Sequence, residues 1–160
     1  MENCSDALDA LASWTAWLPL NVVRAEVSPR RPGGVHVARY ADTGHIFYVG
    51  EAHQRGVRER LDEYRLGNDL NGLGAVLADL ALADAEFVRE RLADIESGNP
   101  RTAVQWMKLA MERRNIQFSV SETEDGPSAQ LLESRVLDAI PNEHLLNKAA
   151  VRARRSPAVT

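Results

Sequence analysis

Two short runs of β-branched and aromatic residues on either side of a tight turn constrain the fold of this chain most. Residues 34–39 and 45–49 both have the length and composition of strands. The sequence Asp-Thr-Gly at positions 42–44 lies between them and is a turn signal, and Gly50 follows the second run directly. The pattern therefore predicts an antiparallel β-hairpin.

Most of the remaining chain has the apolar spacing of amphipathic helices. An N-terminal helix is expected to end at Pro19, and residues 21–27 are expected to form a short strand or an extended link. Further helices are expected over residues 56–65, 75–97, 100–114 and 128–140. Asn99 is expected to cap the third of these, with Pro100 in its first position. Because residues 116–120 alternate as a third strand, the fold class is predicted to be α+β, with a small three-stranded antiparallel sheet flanked by helices.

The length of 160 residues suits a single domain. Within it we expect a core over about residues 32–148, a helical insert over about 70–114 and a flexible basic tail over 149–160. No apolar run reaches the roughly 20 residues that span a bilayer. Cys4 is the one cysteine, so an intrachain disulfide is not possible, and a reducing cytoplasm is the simplest expected location.

Arginine supplies nearly all of the positive charge in a chain whose formal net charge is -4. Nucleic-acid binding requires local positive charge, and arginines including Arg55, Arg58, Arg60 and Arg65 crowd one short segment. Arginine can form two parallel hydrogen bonds to a phosphate, which makes Arg58 a candidate for substrate binding. A composition bias from a GC-rich genome explains the arginine excess equally well.

Two charged residues interrupt apolar stripes that should face the interior. Arg60 lies on the stripe formed by Val57, Leu61 and Tyr64, and a long cation there must reach a partner or a cleft. Glu133 lies in the same way on the apolar stripe of the last helix. One interpretation is that both residues form structural ion pairs, and the other is that they belong to a site.

The order of these features resembles that of the GIY-YIG nuclease family, over about residues 32–148. That family has two short strand motifs, then an arginine, a glutamate and an asparagine. The corresponding residues here are Gly34-Val35-His36, Tyr48-Val49-Gly50, Arg60, Glu133 and Asn147.

The resemblance implies a metal-dependent DNA endonuclease that hydrolyses phosphodiester bonds. Glu133 would hold one Mg²⁺ or Mn²⁺ ion, Tyr48 would orient or deprotonate the attacking water, and Arg60 would bind the scissile phosphate. His36 would assist the water, since imidazole titrates near neutrality. Asn147 would hold the site together, and Gly50 and Arg58 would contribute to substrate binding.

Two positions depart from the family pattern. His36 stands where tyrosine is usual, and Glu51 stands where several members have lysine. These departures leave open a second function, that of a catalytically weakened module that binds nucleic acid or acts as a scaffold. RNA is a weaker substrate candidate than DNA. We expect a homodimer of the active enzyme, because one such site cuts one strand at a time.

Overall fold

A computed structural model describes residues 4–69, 72–141, 143, 145 and 146 of the chain. The strands are β1 (Gly33–Tyr40), β2 (Ile46–Ala52) and β3 (Ile116–Thr123). The helices are α1 (Cys4–Asp9), α2 (Leu20–Glu26), α3 (Val57–Leu66), α4 (Leu73–Leu82), α5 (Ala85–Glu96), α6 (Ala103–Glu112) and α7 (Gly126–Ala139). The predicted α+β class with a flanked antiparallel sheet is confirmed. No helix in the described ranges is long and apolar enough to cross a membrane.

The three strands form one antiparallel sheet in the order β2-β1-β3. The central strand β1 pairs with β2 through the predicted hairpin and with β3 from Gly33 opposite Thr123 to Tyr40 opposite Ile116. Leu18 extends the β3 side by one isolated bridge to Phe118. In the part of the chain that the structure describes, β2 therefore lies at an edge of the sheet.

Contacts between residues divide the chain into two compact units. The first, here called the sheet unit, comprises residues 1–61 and 116–160 and holds all three strands with α1, α2 and α7. The second, here called the helical unit, comprises residues 62–115 and holds α4, α5 and α6. The predicted helical insert at 70–114 lies inside this second unit.

One face of the sheet packs against α7. Val35, Val37 and Val49 share a buried hydrophobic cluster with residues of α7 such as Leu132 and Val136. The indoles of the N-terminal segment also pack on this cluster while staying partly exposed. Side chains alternate along a strand, so the residues between these valines point to the opposite face.

In the helical unit, Asp84 explains why the predicted helix over residues 75–97 is two helices. Its Oδ1 accepts hydrogen bonds from the backbone N–H groups of Glu86 at 2.9 Å and Phe87 at 3.4 Å, which caps α5. Its Oδ2 accepts a bond of 2.9 Å from Nε of Arg113. The Arg113 hydrogen bond is the largest cause that lowers the pKa of Asp84, so this cap is charged at neutral pH.

Three sequence-based expectations for helix bounds were wrong. The N-terminal helix was expected to end at Pro19, but α1 ends at Asp9, and the segment that follows it bridges to β3 at Leu18. Residues 21–27 were expected to be extended, but α2 begins directly after Pro19, which has an extended backbone and serves as the N-cap. The helix predicted from Pro100 begins later, because Thr102 and Gln105 form a capping box in place of the expected Asn99 cap.

Candidate functional site

His36 and Tyr48 lie side by side on the sheet face opposite to α7. The register places His36 opposite Gly50 and Tyr48 opposite Ala38, so these four residues share a face. The ring centroids of His36 and Tyr48 are 6.1 Å apart, with 30° between the ring planes. His36 is completely buried and Tyr48 is 7% exposed. The hairpin therefore brings together the two rings that the sequence motifs identified.

Gly50 provides the space that both rings occupy. A Cβ atom at this position would lie 2.6 Å from both Cε1 and Nε2 of His36 and 3.0 Å from Cε1 of Tyr48. Separations of this kind are shorter than van der Waals contact, so a larger residue would displace one or both rings. Gly50 is thus required for the packing of the ring pair, whereas a direct contact with substrate stays a prediction.

We expect Gly50→Ala to destabilise the protein by about 1–3 kcal/mol, because the added methyl group overpacks the ring pair. Urea denaturation followed by tryptophan fluorescence would measure the change in the free energy of unfolding.

The double-mutant cycle with His36→Ala supplies the control for this prediction. With the imidazole removed, the same Gly50→Ala change should cost less than in the wild-type background. An equal cost in both backgrounds would show that contact with the imidazole is not the cause.

Arg60 approaches the ring pair from α3. This helix packs on the same sheet face, because a Cβ atom at Gly34 would lie 2.4 Å from Cγ2 of Val57. Arg60 is half-buried, as its position on the stripe predicted. Its positive charge is the second cause, after burial, that lowers the pKa of His36. The structure thus places the arginine on the side of the sheet that carries His36 and Tyr48.

Burial, followed by the charge of Arg60, lowers the pKa of His36 from 6.5 to about 3. The expectation that this imidazole titrates near neutrality is therefore wrong for the folded chain, since a fully buried cation would lose its hydration. At neutral pH the ring is uncharged. An uncharged, buried imidazole is suited to positioning a neighbouring group rather than to carrying a proton.

Glu133 is 5% exposed and lies on α7, which covers the other face of the sheet. The helices that carry Arg60 and Glu133 therefore flank the sheet on opposite sides. Side chains from these two helices can meet only beside an edge strand of the sheet, here called a margin. In the described part of the chain β2 forms such a margin, and α7 contacts both β1 and β2.

The carboxylate of Glu51 pairs with a histidine. Glu51 stands where several members of the resembled family have lysine. Nδ1 of His53 lies 2.8 Å from Oε1 and 2.9 Å from Oε2 of Glu51. The Glu51 side chain is 9% exposed and the His53 side chain is 38% exposed. The sequence signal for this pair is the position of His53 two residues after Glu51, directly beyond the end of β2.

Of the two remaining candidate residues, Arg58 lies within the described residues and makes a structural contact. Nη1 of Arg58 donates to the carbonyl oxygen of Val27 at 3.4 Å, and Val27 is the C-cap of α2. Arg58 therefore satisfies a carbonyl group at a helix end, which is a structural contact. Asn147 lies outside the described residues.

The acidic side chains of the described residues could bind a metal ion through a single carboxylate. In the described ranges, no three His, Cys, Asp or Glu side chains form a group that could hold a metal ion. A hard divalent cation can still bind through one carboxylate, with water and substrate phosphate as its other ligands. The buried carboxylate of Glu133 fits that requirement chemically, because oxygen is the ligand such ions prefer.

Comparison with known proteins adds no relative. No family model, no curated protein and no solved structure matches this chain.

Proposed function

We propose that this chain is a metal-dependent DNA endonuclease of the GIY-YIG type, with its site at the β2 margin of the sheet. The observation that carries the proposal is the grouping of Tyr48, His36 and Arg60 on one sheet face. The hairpin and α3 bring these residues together from three separate parts of the sequence.

Arg60 and Tyr48 supply the chemistry that a phosphodiester requires. Hydrolysis needs a positioned nucleophile and stabilisation of the charge that develops on the phosphate. Arg60 would bind the phosphate, and Tyr48 would accept a hydrogen bond from the attacking water. His36 would hold the Tyr48 ring in place.

Glu133 would hold a Mg²⁺ or Mn²⁺ ion at the same margin. Such an ion neutralises charge on the phosphate and stabilises the leaving oxygen. The contribution of the chain is the carboxylate itself, which α7 keeps largely buried and therefore fixed in direction.

DNA is the proposed substrate, with RNA less favoured, and a cytoplasmic location accords with that substrate. The net charge of -4 means that binding must depend on local arginines, and affinity should fall steeply as salt concentration rises. One site of this type cuts one strand. We therefore propose that cleavage of both strands uses two copies of the chain.

A second function, that of a catalytically weakened binding or scaffold module, is favoured by two observations. The imidazole of His36 is uncharged and completely buried, and Glu51 places a carboxylate where several members of the resembled family have lysine. The uncharged imidazole of His36 would be a poor proton carrier. The carboxylate of Glu51 would oppose the approach of an anion.

Nicking of supercoiled plasmid distinguishes the two functions. We expect the wild-type chain to convert supercoiled DNA to the open circular form with Mg²⁺ or Mn²⁺ but not with EDTA. Glu133→Gln, which keeps the size of the side chain but removes its charge, should lower the rate by about a hundredfold or more. Agarose gel electrophoresis would measure the rate.

Glu143→Gln is the matched control, because it removes an exposed carboxylate outside α7. Its rate should equal that of the wild type. Plasmid binding without any nicking by the wild-type chain would favour the binding module. Nicking that survives Glu133→Gln unchanged would rule out the proposed role of this carboxylate.

A further inference from the structure

The helical unit contains a cavity of about 380 Å³ that is separate from the proposed nuclease site. Its lining residues all come from the helical unit, on α4, α5, α6 and the segment before α6. The volume falls in the range of small-molecule sites, which is about 300–1,000 Å³. The cavity is thus large enough to accept an organic ligand.

The floor and walls of this cavity are apolar. Phe87 and Ala110 at its floor are 2% and 1% exposed. Trp106 and Met107 form half-buried walls, and the indole of Trp106 meets the Phe87 ring edge-on at a centroid distance of 6.3 Å. Packing of the two rings holds this wall in shape. An apolar surface of this kind favours the hydrocarbon part of a ligand.

One cation stands at the mouth of the cavity. Of the described residues that line it, Arg101 carries the charge, and its side chain is 37% exposed. Asp94 contacts Nε of Arg101 at 3.3 Å and is shared with Arg91, whose Nε lies at 2.9 Å. The two terminal nitrogens of Arg101 carry further N–H donors that suit a carboxylate.

We propose that this cavity is a binding site for a small amphipathic carboxylate, whose apolar body enters the cavity and whose anionic group meets Arg101. Apolar sites commonly contain a few polar groups that fix the orientation of the ligand, and Arg101 has that position here. The site is independent of the proposed nuclease chemistry.

Titration of the full chain with decanoate, observed through isotope-labelled methionine methyl groups, tests the proposal. Met107 lines the cavity, whereas Met111 on the same helix does not, so the methyl signals report where the probe binds. We expect a saturable shift of the Met107 signal that is larger than any shift of the Met111 signal. Arg101→Gln should weaken decanoate binding about tenfold while leaving the binding of uncharged decanol nearly unchanged.

Two pairs of variants control the experiment. Ala103→Phe adds a large side chain at the exposed rim and should abolish binding of both probes, whereas Val104→Phe on the same helix lies outside the lining and should not. Arg89→Gln removes an exposed arginine of α5 that does not line the cavity, and it should bind decanoate like the wild type.

Three results would overturn the proposal. They are a Met107 signal that does not respond to decanoate, undiminished binding to Ala103→Phe, and an equal loss of decanoate and decanol binding in Arg101→Gln. Circular dichroism establishes whether each variant is folded. If Ala103→Phe does not fold, the comparison of decanoate with decanol in Arg101→Gln decides the outcome.

Discussion

Replacing Arg60 with alanine should lower the rate of DNA nicking by about a hundredfold or more. The guanidinium group is the cation that α3 brings to the face carrying His36 and Tyr48. Its loss removes the group proposed to bind the phosphate. Arg60→Lys keeps the charge but not the forked geometry and should recover only part of the rate. Single-turnover nicking rates would measure both effects.

Arg55→Ala is the matched control, since Arg55 belongs to the same arginine-rich segment but its side chain is 68% exposed. We expect its rate to stay within a few-fold of the wild type at low salt. If Arg55→Ala and Arg60→Ala lose activity equally, the arginines act as a diffuse positive surface and Arg60 has no special position. The pKa of His36, measured by NMR, should rise in Arg60→Ala but not in Arg55→Ala, because Arg60 contributes to lowering it.

Acidification should destabilise the chain because His36 is buried in its neutral form. The pKa is 6.5 in an unfolded chain and about 3 in the folded chain, so the unfolded state binds the proton more tightly. The contribution of His36 to stability is therefore fully present above about pH 6.5 and is lost progressively as the pH falls toward 3. A shift of this size corresponds to an upper limit of about 5 kcal/mol. Urea denaturation at a series of pH values would measure the loss.

His36→Gln removes the titrating group from this site and should flatten the pH dependence of stability between about pH 6.5 and 4. His53→Gln is the control, because the His53 side chain is 38% exposed whereas His36 is completely buried. Its stability profile should keep the wild-type slope in that range. A wild-type slope in His36→Gln would mean that other groups, such as paired carboxylates, cause the acid sensitivity.

Local sequence signals predicted the elements that form the site. The hairpin, the third strand and the inward stripe of Val57 and Leu61 follow from composition and spacing, and the structure contains all of them. The interior positions of Arg60 and Glu133 could be predicted for the same reason, because helical periodicity alone determines which side chains share a stripe. The low exposure of Glu133 confirms this prediction.

The features that sequence did not predict depend on tertiary structure. Periodicity cannot show which face of a sheet a helix covers, so the placement of α3 and α7 on opposite faces was not foreseen. The pKa of His36 depends on burial by distant segments, which no local pattern reports. The break between helices at Asp84 was not predicted, because its partner Arg113 lies 29 residues later in the chain, after α6.

The central position of β1 has a consequence for the order of folding. Its pairing with β3 joins residues far apart in the chain, such as Arg39 and Gln117, which are separated by 78 positions. The entropy lost in closing a loop increases with the number of flexible residues in it. In the folded structure, α4 packs against α5 and α6 within that intervening segment. We infer that early formation of these helices lowers the entropic barrier to completing the sheet.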